Sequence, residues 1–467
     1  MSDARLMSID QGTDYLDRII GDARSRQRNA DDFGAGKDQS GPKKSAAPEP
    51  DGEPWPDALA PEALHGIAGE FVRMIEPDTE ADTSAILVQF LVAFGALVGR
   101  GPHYRVEGDQ HHCNLFALLV GGTAKGRKGT SWGRVRAPFE AVTSDDPLAA
   151  WKPYVSGLSS GEGLKYNVRD AKEETKKSKH GEPVVEIVDD GVTDKRLLVV
   201  EPEFASVLRA AARPGNTLSA TIREAWDSGN LRTLTKNDPV TATGAHICII
   251  AHVTDDELRS ELTATDSANG FANRYLFVAV KRSKLLPFGG DCADAGEAKA
   301  LSDRVSERAK LARMRTRIVM TADARTTWAT VYPELSAGAE GLHGAVTARA
   351  EAQVIRLALV YALLDGADHI DVPHLLAGLS VWTYCDATAK YIFGASLGDR
   401  TADEIMRRLA KAGDAGLTRT ELRDLFNRHI TADKLGAALE MLQRKGKATC
   451  ETVSTGGRPS EIWRATK

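Results

Sequence analysis

The sequence predicts an α/β protein built on a buried, largely parallel sheet, with a small separate domain at its C-terminal end. Three observations point there. Four short segments, 115–120, 197–200, 246–251 and 275–280, are almost wholly apolar, as strands covered on both faces are. Helix-like stretches separate them, the alternation that produces βαβ units. Beyond residue 400 the pattern changes to short amphipathic helices followed by a hairpin.

In chain order, residues 1–54 read as a disordered N-terminal segment, since GAGKDQSGPKKSAAPEPDGEP has no apolar periodicity. A helical lead-in follows at 61–75 and 83–98, the second helix capped by Asp82, Thr83 or Ser84. Together with the four strands this makes a core domain over 55–290. The charged stretch 171–195 inside it reads as an exposed insertion. Residues 291–400 turn helical, with the amphipathic run VTARAEAQVIRLALVYALL, and are expected to form a lid. The last domain is 401–467.

Composition limits what the chain can be. Its 467 residues allow two or three domains, and 42% hydrophobic content is ordinary for a globular core. No run of eighteen apolar residues occurs and the N-terminus lacks the pattern of a secretory signal, so a cytoplasmic protein without a membrane span is expected. Cys113, Cys248, Cys292, Cys385 and Cys450 form no C-x-x-C pair, which excludes a thiolate zinc motif and predicts reduced thiols. The net charge is −5, but residues 401–467 hold 13 Lys+Arg against 9 Asp+Glu. A basic end on an acidic body suggests a local nucleic-acid contact.

The chemistry begins where NLFALLVG runs into GTAKGRKGTS and then into the helix-like WGRVRAPFEAV. A glycine-rich turn between a buried strand and a helix aims backbone N–H groups and the positive end of the helix dipole at one spot, where a triphosphate can sit. Counted from Gly122 along G-x-x-x-x-G-K-[ST], the lysine falls at Lys128. Arg127 stands where the second glycine belongs and Gly129 where the magnesium hydroxyl belongs. Thr130 or Ser131 must then supply that hydroxyl through a shifted loop. The expected ATP contacts are Gly122, Thr123, Gly126, Arg127, Lys128, Gly129, Thr130 and Ser131. The competing reading is a solvated basic turn.

KRLLVVEPEF ends an apolar strand in Glu201, with Glu203 two positions on. Carboxylates there suit the water shell of Mg2+ and the polarisation of an attacking water. Glu201 is assigned the metal with Thr130, and Glu203 the base. HICIIAHVT places His252 and Thr254 at a second strand end, as groups that sense the terminal phosphate. NGFANRYLFVAV places Arg274 at the start of the last strand, as a finger for a neighbouring subunit's ATP.

These motifs, with the SGEGL, NTLSATIREAWDSG and NGFANRYLFVAVKRSKLLP segments in this order, resemble a P-loop ATPase family of phages, plasmids and integrated elements, whose members are taken as replicative helicase-like proteins. The resemblance spans roughly residues 55–394. It implies a P-loop NTPase core, RecA-like or AAA+-like in strand order. It also implies Lys128 as the phosphate lysine, Thr130 as the magnesium hydroxyl, Glu201 and Glu203 as the acidic pair and Arg274 as the finger. Arg223 and Asp227 of IREAWD, and Arg349, receive no role. The primase-polymerase module of such proteins has no counterpart in this short N-terminal segment.

Residues 401–467 read as a winged helix: a helix opened by Thr418, a second from Thr431 that would enter a DNA major groove, and a hairpin with Arg458 at its tip. Lys434, Arg444 and Lys445 are further DNA contacts. The expectation is an ATP- and Mg2+-dependent DNA motor, a homo-oligomeric ring and possible hexamer. Its rivals are an ATP-switched origin-binding or regulatory protein and a small-molecule kinase.

Overall fold

The computed structural model describes residues 54–466 apart from 123–125, 143–150, 153, 178–182, 235–238, 263–268, 291–294, 395–398, 427–429 and 454–459. Residues 1–53 of the expected disordered segment, Thr123 of the glycine-rich turn, Cys292 and Arg458 of the hairpin tip lie outside the described residues. No described helix is long and apolar enough to cross a membrane.

The chain is mixed α/β. β1 (His103–Val106) and β2 (Asp109–His112) form a hairpin, and β3 (Phe116–Val120) follows at once. In the charged insertion β4 (Lys172–Lys177) and β5 (Pro183–Asp189) pair antiparallel, with most of their residues exposed. β6 (Arg196–Glu201) is next, then the short pair β7 (Leu231–Arg232) and β8 (Thr241–Ala242). β9 (His246–Val253) and β10 (Tyr275–Ala279) complete the first part.

β10, β3, β9 and β6 form one all-parallel sheet in that order. After β3 the chain skips a place to lay down β6, fills the gap with β9, and crosses to the far side of β3 for β10. Reversals of this kind open a crevice at the carboxyl ends of the strands. Every residue of the four strands is buried, which is why each reads as a continuous apolar run.

The helix Thr83–Val98 is buried along almost its whole circumference and lies in the core, its first turn capped by Asp82 through Ser84 N at 3.0 Å. The helices beyond residue 294 do not stand apart as a lid. Val354, Leu357 and Leu375 from helices Ala350–Leu364 and Val372–Phe393 share one core with Phe71, Phe90 and Phe139 of the earlier part. β11 (Arg317–Met320) and β12 (His369–Ile370) interrupt the region expected to be helical and extend a second sheet, β12-β11-β1-β2. Its burial alternates along Arg317–Met320, a period of two in a stretch read for a period of 3.6.

His65, Asp365 and His374 pin the lead-in to these helices. Asp365 Oδ2 lies 2.7 Å from His65 Nε2 and 3.1 Å from His374 Nε2. The three side chains are close enough to hold a metal ion. The Asp371 N–H donates to His374 Nδ1 at 2.9 Å, however, so the proton of a neutral imidazole sits on Nε2 and points at the carboxylate. That geometry suits a hydrogen-bonded clasp rather than a metal ligand, which needs Nε2 bare. Burial raises the Asp365 pKa, but the hydrogen bonds from His374 and His65 outweigh it and hold the group below its usual range. A carboxyl depressed on folding contributes stability that is complete above its unfolded pKa, about 3.9, and is lost as pH falls through the folded value. The stability gap between the wild type and Asp365→Asn should therefore shrink as the pH falls from 5 to 3. Denaturant midpoints at several pH values check this, and a gap that stays flat to pH 3 contradicts it.

After Asp399 a separate small core forms from Ile405, Leu409, Leu422, Leu435, Leu439 and Trp463. It lies among helices Arg400–Ala412, Arg419–Asp424 and Ala432–Arg444 and an antiparallel sheet of β13 (Leu417–Thr418), β14 (Ala448–Val453) and β15 (Ser460–Ala465), with β15 central. Thr418 and Thr431 cap the second and third helices.

Candidate functional site

The register of the central sheet brings four strand ends to one edge. Val120 pairs with Val253 and with Ala279, so β3, β9 and β10 end level. The turn after β3 leaves from this edge. Gly121 donates to Val253 O at 3.3 Å, and a Cβ there would sit 2.2 Å from Val280 O, so only glycine fits. The helix Lys128–Glu140 begins at the far side of the turn. Its N-cap, Arg127, has φ +52°, and no side chain caps it. This left-handed backbone is the conformation for which glycine is the default. Arg127 holds it with an ion pair to Glu80 at 2.6 Å. The first amides of the helix, on Lys128, Gly129 and Thr130, thus receive no side-chain cap, and Gly129 and Thr130 are exposed.

Lys128 folds back on the turn, its Nζ donating to Gly121 O at 2.7 Å and Gly122 O at 2.9 Å. Burial lowers its pKa, against the opposing charges of Glu257 and Glu203. Both carboxylates therefore lie close enough to act on the lysine's charge. Glu257 was not singled out from the sequence, and it is also tied up: Thr254 and Glu257 form a reciprocal cap on the helix Asp255–Glu261, with Thr254 Oγ1 donating to Glu257 Oε2 at 2.7 Å. Thr254 is thereby employed as a helix cap, not as a free sensor.

The acidic pair divides differently from the sequence assignment. Glu201 pairs with Ala251, which pairs with Leu118, so it sits two positions short of the level at which β3 ends. It is 5% exposed, and its Oε1 accepts from Gly157 N at 2.6 Å and Leu158 N at 2.7 Å. That carboxylate anchors a loop and is not poised for a metal. Glu203 lies two residues further along, exposed, at the N-cap of Phe204–Ala211, and is the member of the pair that acts on Lys128.

Ser131 is fully buried, donating to Lys128 O at 2.6 Å and accepting from Gln89 Nε2 at 2.7 Å. It fastens the helix instead of offering a hydroxyl to magnesium, which leaves exposed Thr130 as the hydroxyl at this edge. Gln89 Oε1 in turn meets His252 Nε2 at 3.4 Å. Burial and then the Lys128 charge push the His252 pKa down to about 4, so the ring is neutral at pH 7. The chain from His252 through Gln89 and Ser131 to the Lys128 carbonyl couples β9 to the turn. Gln89 was legible: one amide in the helix TSAILVQFLVAFGALV must find partners once buried.

Arg274 is not with these groups. It precedes Tyr275, which pairs with Phe116 at the start of β3, so it lies at the opposite edge of the sheet, about 20 Å from the turn at 3.3 Å per residue. It is buried and paired within the chain, its Nη2 lying 2.5 Å from Asp227 Oδ2. Arg223 donates to Asn269 O at 2.9 Å. In the C-terminal unit Lys434, Arg444 and Lys445 are all exposed. Lys434 lies in the first turn of Ala432–Arg444 and the other two at its end, about 15 Å away at 1.5 Å per residue, so they do not form one cluster.

No protein-family model matches the chain, and no curated protein matches it.

Proposed function

We propose that the carboxyl edge of the central sheet binds ATP with Mg2+ and hydrolyses it, and that the chain is a DNA-acting motor of the replicative-helicase kind, built on a P-loop core with a C-terminal winged helix. One observation carries the reading: a glycine-rich turn leaves an inner parallel strand, enters an uncapped helix N-terminus, and folds a lysine ammonium onto its own carbonyls. Such a turn offers backbone donors, a helix dipole and a mobile cation to the same anion. Gly122, Gly126, Lys128, Gly129 and Thr130 are the contacts this reading keeps, and Glu203 replaces Glu201 as the group that faces Mg2+ and the attacking water. The three-helix, three-strand unit after Asp399, with its basic excess, supports DNA as the partner through exposed Lys434, Arg444 and Lys445.

The acidic pair supplies the test. Glu203→Gln should lower ATP turnover at least a hundredfold while leaving nucleotide affinity within a few-fold. Glu201→Gln should lower the melting temperature, because an amide oxygen accepts the Gly157 and Leu158 N–H groups more weakly than a carboxylate. Full activity in Glu203→Gln contradicts the assignment.

Lys128 satisfied by its own turn and Arg127 in place of glycine favour a second reading, in which ATP switches a DNA-binding regulator without fast turnover. Steady-state hydrolysis with and without single-stranded DNA separates the two. Stimulation by DNA marks a motor, and tight ATP binding without turnover marks a switch.

A further inference from the structure

The amino edge of the central sheet carries a charge imbalance that the ATP site does not use. Around the Trp226 ring stand three guanidiniums, with Cζ of Arg356, Arg349 and Arg274 at 3.6, 5.1 and 5.6 Å from its centroid. Arg100 joins them by donating to Asp227 O at 3.0 Å. Against these four cations stand Asp227 and, at longer range, Asp109.

Asp227 spans the two outer arginines, its Oδ2 2.5 Å from Arg274 Nη2 and its Oδ1 3.8 Å from Arg349 Nη1. The side chains of Asp227 and Arg349 are 42% and 35% exposed, whereas that of Arg274 is 6% exposed. The carboxylate and Arg349 therefore form a mouth, with Arg274 as its floor. Nε of Arg274 and Nε of Arg356 are buried without a hydrogen-bond partner. Asp227 is also the last residue of the helix Leu218–Asp227, where the helix dipole disfavours a negative charge. One carboxylate, outnumbered by the cations around it, thus covers guanidiniums whose planar forks match phosphate oxygens two at a time.

We propose that Arg349 and Arg274 form a binding site for a phosphate-bearing anion, and that Asp227 is the resident counter-ion which the phosphate displaces. The site lies too far from Lys128 to meet a nucleotide on the same chain. Two sources offer the same chemistry: a free polyphosphate, or the terminal phosphate of a nucleotide held by a second copy of this chain. Only the second source rests on the ATP reading above.

Titration calorimetry of the full chain with inorganic pyrophosphate, at fixed ionic strength in chloride, tests this in a Lys128→Ala background that removes the other candidate site. Binding should persist there, tighten at least tenfold on adding Asp227→Asn, and weaken at least tenfold on adding Arg349→Ala at the exposed rim. Pyrophosphate binding that is abolished by Lys128→Ala alone overturns the proposal and leaves the ATP reading standing. So does an affinity unmoved by both added changes. Light scattering with ATP then identifies the source. Association of copies that needs both Lys128 and Arg349 assigns the phosphate to a neighbour's nucleotide, and pyrophosphate binding without association assigns it to free polyphosphate.

Discussion

Lys128→Ala is expected to weaken ATP binding about a hundredfold and to abolish hydrolysis, with little loss of fold stability. The ammonium makes two hydrogen bonds, both to carbonyls of its own turn. An incoming triphosphate would exchange those neutral acceptors for charged oxygens, and a charge-assisted contact of this kind is worth about 2–3 kcal/mol, thirty- to more than a hundredfold in affinity. Lys128→Arg should not rescue it. A planar fork on a longer stem cannot curl onto Gly121 and Gly122 as a compact ammonium does. Titration with a fluorescent ATP analogue measures the loss, and Trp132, four residues into the same helix, offers an intrinsic signal. An alanine variant that binds ATP within threefold of wild type would remove Lys128, and with it the nucleotide reading.

The turn was legible because its signal is local: glycines between an apolar strand and a helix, with a lysine at fixed spacing. The four strands were legible for a similar reason, since burial on both faces leaves their middles apolar and confines polar residues such as Arg196, Glu201, His246 and His252 to the ends. Their order was not. Four interchangeable apolar faces contain no instruction about which neighbours which, and that choice is made by the helices packed on either side. Glu201 and Glu203 look equivalent two residues apart, yet the amides of Gly157 and Leu158, more than forty residues upstream, take one and leave the other. Arg274 was read as an exposed end-of-strand arginine because nothing local reveals Asp227 across the fold. β11 was hidden because four residues of alternation are outweighed by the long helical patterns on both sides.

The polar positions of the run AEAQVIRLALVYALL misled in another way. They were expected to face water, but Gln353 and Arg356 are buried with the rest of the helix. Burial pushes the Arg356 pKa down to about 9, and the guanidinium still carries its charge at neutral pH. It donates to Asn114 O at 2.9 Å, to Asn114 Oδ1 and to Trp226 O at 3.0 Å, with its plane against the indole. It ties the start of β3 to the end of the helix that presents Asp227.

Arg356→Ala is accordingly expected to destabilise the fold by about 3–5 kcal/mol, the range for truncating a large buried side chain. Two costs add: a cavity the size of a long side chain, and two acceptors on Asn114 left without a donor at about 1 kcal/mol or more each, while Trp226 O keeps the bond from Asn114 Nδ2. Two gains oppose them: release of the guanidinium's burial cost, the largest effect on its pKa, and relief of repulsion from Arg100 and Arg349, whose charges also act on Arg356. The relief of repulsion is the smaller gain, because both neighbours are partly exposed and screened by solvent. Arg356→Met separates the two costs, since it refills the space but donates nothing. Recovery of most of the loss in the methionine variant, read from urea midpoints, would mean that packing against Trp226 dominates. Recovery of less than half would mean that the donated hydrogen bonds do. An alanine variant within 1 kcal/mol of wild type would show that the guanidinium costs the fold as much as it contributes.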